Sequence, residues 1–195
     1  VAYSSLDPKT RSVTDKSRCL VLYSPHVWLT RVTADRTRTL VEWADAETRG
    51  IVCEATQLGR QRKSAKADLR LQLTRYNDYS LRSIVETYQG WTPAVTNDAK
   101  GSVLLTLRYP SNQNYEQRVF IDPRRQVVLK QERWTDGKLT SRTIHSDFVE
   151  VAGCWWAAKV TCTDADGRTT DVATASIKAL DRAMFEKRCK SAMPD

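Results

Sequence analysis

Turn-forming residues recur roughly every ten positions through the second half of the sequence, and the segments between them alternate apolar and polar residues with period two. Val103, Leu105, Leu107 and Tyr109 alternate with Ser102, Thr106 and Arg108. The cluster Pro110-Ser111-Asn112-Gln113-Asn114 follows, then Tyr115–Ile121, with Tyr115, Val119 and Ile121 on one face and Glu116, Arg118 and Phe120 on the other. Asp122-Pro123-Arg124-Arg125 breaks that run, because proline cannot donate to a strand ladder. Gln126–Trp134 reads as the next strand and Asp136-Gly137 as a tight hairpin, since glycine supplies the positive φ such a turn needs. Leu139–Phe148, Cys154–Thr163 and Arg168–Lys178 complete the series, the last two joined through Asp164-Ala165-Asp166-Gly167. No helical stripe interrupts them. This pattern predicts an antiparallel meander.

The first half reads similarly, with candidate strands Cys19–Tyr23, Val27–Thr33, Thr37–Trp43 and Gly50–Leu58, rich in Val, Thr, Ile and Trp. Thr37, Thr39, Val41 and Trp43 share one face, and Ala65–Leu73 offers a further strand. Between the halves, Asp78 is placed to cap a helix carrying Leu81, Ile84, Val85 and Tyr88 at i, i+3, i+4 and i+7. Gly90 and Pro93 end it. A second helix is expected near the C-terminus, capped by Asp181, with Leu180 and Phe185 as a hydrophobic staple and Lys187, Arg188 and Lys190 at its negative end.

At 195 residues the chain is long enough for one domain with a sizeable core. The expected division is a polar N-terminal segment over 1–17 and a single domain over 18–195. Val1–Ser17 has no apolar h-region, so a signal peptide is either absent or already removed. The fold class is α+β: a curved antiparallel sheet, or half-barrel, with helices packed on its concave face. Incomplete cover of such a sheet leaves a cavity suited to an apolar ligand. The candidate lining residues are Trp28, Trp43, Leu81, Ile84, Val85, Tyr88 and Trp156.

The net charge of +8 favours acidic partners such as an anionic membrane surface. The basic excess concentrates between Arg60 and Arg75. Its first reading is a solvated loop or strand face, and its second is an anionic contact through Arg60, Arg62, Lys63 and Lys66. Nucleic acid is not the expected partner, because Arg133-Trp134 and Trp156 with Lys159 only weakly interleave basic and aromatic groups. Adjacent Trp155 and Trp156 on a strand must point to opposite faces.

Little in the sequence supplies catalysis or metal binding. His145 and Asp147, two apart on a strand, share a face without setting the geometry of a triad. No nucleotide-binding, hydrolase or metalloprotease motif occurs. Asp164-Ala165-Asp166-Gly167 resembles the start of a calcium loop, but Ala175 stands where the closing Glu is required. No metal or cofactor is expected, and no enzyme. Most of the five cysteines read as small buried residues, although Cys154 and Cys162 could face one another across a hairpin.

Several of these turns combine into a family resemblance. Val119-Phe120-Ile121-Asp122-Pro123, Val127-Val128-Leu129-Lys130, Asp136-Gly137-Lys138-Leu139, and Asp147–Trp156 with Lys159-Val160 resemble the LolA/LolB-like lipoprotein-sorting superfamily over residues 119–180. The resemblance implies a helix-capped half-barrel and a periplasmic or cell-envelope location. It also implies a non-enzymatic role in binding a lipid, acyl chain or acylated lipoprotein in an apolar cavity. The alternative is an interaction or scaffold module of a larger exported protein, lacking the cavity. No functional residue is carried over from the family.

Overall fold

The computed structural model describes residues 2–7, 9–10, 12–23, 28–34, 38–44, 48–53, 58–63, 88–97 and 101–192. The chain divides into two compact units: Val1–Ser4, Asp15–Arg82 and Lys178–Asp195 form the first, and Ser5–Thr14 with Ser83–Ile177 the second.

The first unit contains β2 (Val13–Tyr23), β3 (Trp28–Ala34), β4 (Arg38–Ala44), β5 (Thr48–Cys53) and β6 (Leu58–Lys63), paired antiparallel in the order β6-β5-β4-β3-β2. Leu22 pairs with Leu29, and Leu29 with Trp43, which brings one row across three strands. Leu22, Val41 and Trp43 are buried there together with Ala192 of the C-terminal helix α1 (Arg182–Ala192). Leu180, Phe185 and Cys189 pack against the same cluster. Helix α1 begins as its sequence predicts. Asp181 Oδ1 accepts from the Met184 amide at 2.7 Å, the N-cap bond that satisfies an otherwise orphaned donor. Leu180 and Phe185 then staple the entry of the helix onto the core.

The second unit is the meander. After β1 (Ala2–Leu6), which is divided between the units, come β7 (Thr92–Asn97), β8 (Val103–Tyr109), β9 (Asn112–Asp122) and β10 (Val127–Thr135). β11 (Lys138–Val151), β12 (Cys154–Asp164) and β13 (Thr169–Thr174) follow. From β13 to β7 each strand pairs antiparallel with its sequence neighbour. Thr135 pairs with Lys138 and Val151 with Cys154, so Asp136-Gly137 and Ala152-Gly153 are two-residue loops. All four residues have positive φ, between 51° and 76°. That is the mirror-image turn whose twist matches the flanking strands. At the longer turn, Asp164 Oδ1 accepts from the amides of Asp166 and Arg168 at 3.0 and 2.9 Å, replacing the ladder bonds lost there.

Several sequence expectations change. The single strand expected over Gly50–Leu58 falls across two, β5 ending at Cys53 and β6 beginning at Leu58. The basic segment Arg60–Lys63 lies in β6. Strand β7 was not expected; its Pro93 is tolerated because β7 lies at the end of the order and needs no second ladder. The polar N-terminal segment holds β1 and the start of β2. The last strand stops at Thr174, short of Lys178. Cys154 and Cys162 lie on one strand, eight steps or about 26 Å apart, far beyond disulfide reach. The expected strand at Ala65–Leu73 and the helix residues 78–87 fall outside the described residues.

Substituting Asp181→Ala should lower the unfolding free energy by about 1 kcal/mol through loss of the N-cap bond. Urea titration followed by circular dichroism checks this, and Asp181→Ser should recover most of it.

Candidate functional site

The two faces of the second unit's sheet differ in chemistry. Register alone sets which residues share a face, because cross-strand partners project to the same side. One row runs Val95, Leu105, Val119, Gln131, Thr143, Cys162 and Asp171 from β7 to β13. The neighbouring pair His145–Val160 extends to Ala173. Val119 (0% exposed), Val160 (1%), Leu107 (3%) and Ala173 (4%) make this the buried, apolar side.

An aromatic group closes one end of this face. Trp91 packs on Tyr88, Tyr109 and Tyr115 with ring centroids 5.4, 5.1 and 5.7 Å away. The Tyr88 hydroxyl donates to Gln131 Oε1 at 3.2 Å, and Gln117 Nε2 donates to the same oxygen at 3.3 Å. Burial, reinforced by neighbouring Tyr115, pushes the Tyr88 phenol up to about 12, so it stays protonated and keeps donating. The two glutamines therefore satisfy part of each other's polarity inside an apolar surface.

Further along the strands lie His145 and Trp156. Both are half-buried, and His145 Nε2 and Trp156 Nε1 are buried with no hydrogen-bond partner among the described residues. Burial pulls the His145 imidazole down to about 4, so it is neutral at neutral pH.

The opposite face is an ionic lattice. Glu132, only 5% exposed, accepts from Lys130 Nζ at 2.9 Å, Arg142 Nε at 3.0 Å and Trp134 Nε1 at 3.3 Å. Burial works against its charge, but the hydrogen bonds from Lys130 and Arg142 outweigh that and hold the carboxyl below its usual range. Arg118 pairs with Glu116 and stacks 4.0 Å from the Trp134 ring centroid, while Lys130 Nζ sits 3.8 Å from that of Phe120. Nearby, Arg125 lies over Phe148 and exposed Trp155 at 5.1 and 5.6 Å. Trp155 and Trp156 thus point to opposite faces, as their adjacency requires. The ion pairs on this side are made within the sheet, although Thr163 Oγ1, opposite Arg142, is buried with no hydrogen-bond partner among the described residues; the apolar face is the candidate site.

Of the residues singled out from sequence, Tyr88 and Trp156 belong to this unit and to this face. Trp43 is buried in the core cluster of the first unit, and Trp28 opens β3 opposite Tyr23 and Ala44. Arg60, Arg62 and Lys63 pair with Ile51, Arg49 and Thr48 along β6. Leu81, Ile84, Val85 and Lys66 lie outside the described residues. Sequence reading missed Trp91, Gln117, Gln131 and the placement of His145. Gln117 was the available signal, a polar residue between Tyr115 and Val119 on an otherwise apolar face.

No family model matches the sequence, and no curated protein shows significant similarity to it. Solved structures do match. An outer membrane lipoprotein-sorting protein domain from Vibrio parahaemolyticus aligns over 96% of this chain and 88% of its own, at 16% identity and TM-score 0.58. A DUF1329 family protein from Desulfovibrio piger aligns over the same shares, at 12% identity and TM-score 0.55.

His145 makes stability depend on pH. Its folded pKa lies below the unfolded value near 6.5, so stability is complete above that and falls as pH drops toward 4. The loss should approach about 3 kcal/mol by the end of that window. Urea unfolding between pH 7.5 and 5 should show the decline, and His145→Gln should flatten it. Separately, Glu132→Ala should cost about 2–3 kcal/mol by leaving Lys130 and Arg142 without their shared carboxylate. The likeness spans nearly the whole chain, and the chain shares its fold with the outer membrane lipoprotein-sorting protein domain from Vibrio parahaemolyticus.

Proposed function

We propose that this chain is a non-enzymatic domain of the cell envelope that holds a lipid, an acyl chain or the acyl group of a lipoprotein against the apolar face of the β7–β13 meander. The observation that carries this reading is the face itself. Val119, Val160, Leu107 and Ala173 are withdrawn from water beside Tyr88, Trp91 and Trp156. The fold likeness to a lipoprotein-sorting domain supports the same reading, and with it a periplasmic location. The basic residues of β6, Arg60, Arg62 and Lys63, are proposed to meet an anionic membrane surface.

Native mass spectrometry of protein isolated from a cell envelope should show a co-purified lipid, and a fluorescent acyl probe should bind the stripped protein. Val119→Asp, which places a carboxylate at the centre of the apolar row, should weaken probe binding at least tenfold. Gln113→Asp, at the exposed β8–β9 end, should not. Protein that carries no lipid and ignores the probe is the scaffold module instead.

A further inference from the structure

We infer that the free edge of β7 is a self-association surface, where β7 pairs antiparallel with β7 of a second copy of this chain across a two-fold axis. The inference is independent of the acyl-binding reading. Strand β7 stands at the end of the order and, among the described residues, pairs with β8 alone. Strand residues turn their N–H and C=O groups alternately to the two sides, so half of those in β7 turn theirs away from β8. Pro93 removes at most one of the outward donors. All six residues of the strand are exposed.

Edge strands are ordinarily guarded by charge, because an unguarded ladder recruits another strand. The two end strands of this order differ in that respect. Strand β6 carries Arg60, Arg62 and Lys63, which would set like charges against one another if two copies met there. Strand β7, Thr92-Pro93-Ala94-Val95-Thr96-Asn97, carries no charge, and Pro93 is its only guard. Charge also decides the occupant. The chain bears a net charge of +8, with 31 basic residues against 23 acidic, so two copies repel over most approaches. At β7 an identical strand meets no like charge, while a charged partner finds no countercharge.

Val95 fixes the register. It is 65% exposed, more than any other large hydrophobic among the described residues. It also ends the row that runs inward through Leu105 to buried Val119. Two identical antiparallel strands are related by a two-fold axis, which here passes beside Val95. The two Val95 residues then lie side by side on one face, with Ala94 against Thr96 and Pro93 against Asn97 of the second copy. The apolar row continues from one copy into the next, and Val95 leaves water. A ladder of six residues is a small interface, so the association is weak and reversible.

Sedimentation velocity on the full chain between about 2 and 200 µM, a range that brackets weak self-association, tests this. The native chain should pass from monomer to dimer within it. Val95→Lys and Val95→Glu each place like charges at the axis and should raise the dissociation constant about tenfold or more. An equimolar mixture of the two variants sets Lys against Glu and should restore the dimer. Both substitutions fall at an exposed position, and an unchanged urea midpoint checks that the fold is intact. A native chain that stays monomeric throughout overturns the second copy as occupant and leaves the edge to an extended segment of another protein. A dimer indifferent to both substitutions, or one lost in both variants and not restored in the mixture, overturns the β7 pairing.

Discussion

A strand has two sides, and a slip of one residue exchanges them. In the meander of this chain that exchange would put Arg118 where Val119 is buried and Lys159 where Val160 is buried. Everything else in the second unit depends on the register being held. The tight loops at Asp136-Gly137 and Ala152-Gly153 hold it at opposite ends of β11, because a two-residue loop leaves one pairing available. Glu132 holds it in the middle. Its carboxylate gathers Lys130, Arg142 and Trp134 from β10 and β11, an arrangement that a shifted register would scatter.

This division of labour explains why the two faces can be so different. The ionic side carries local partnerships around Glu116, Asp122 and Glu132, and they hold the strands in alignment. The apolar side is then free to carry residues chosen for what they meet. Gln117, Gln131 and Tyr88 answer one another, but His145 and Trp156 do not.

The meander was legible because its determinants are local: alternation sets the faces, and glycines after Asp136 and Ala152 set the turns. The N-cap of α1 was legible for the same reason, Asp181 being three residues from the amide it binds. What escaped was non-local. Strand β7 has weak propensity and a proline, and forms because β8 offers it a ladder. Strand β6 read equally as a solvated loop or a strand face, since Arg60, Arg62 and Lys63 outweigh any alternation. The site was half visible. Tyr88 could be named from an apolar stripe and Trp156 from its aromatic character, but Gln131 and His145 acquire meaning only when the register places them beside Val119 and Val160.

The central claim is that hydrocarbon lies along the β8–β12 face bearing Val119 and Val160. Photo-crosslinking with a diazirine-bearing acyl chain, followed by peptide mapping, tests it most directly. The account predicts labels on residues of that face, at Leu107, Val119, Val160 or Trp156, lost when unlabelled acyl ester competes. Labels confined to the Phe120, Trp134 and Arg142 side, or none that competitor removes, would contradict it.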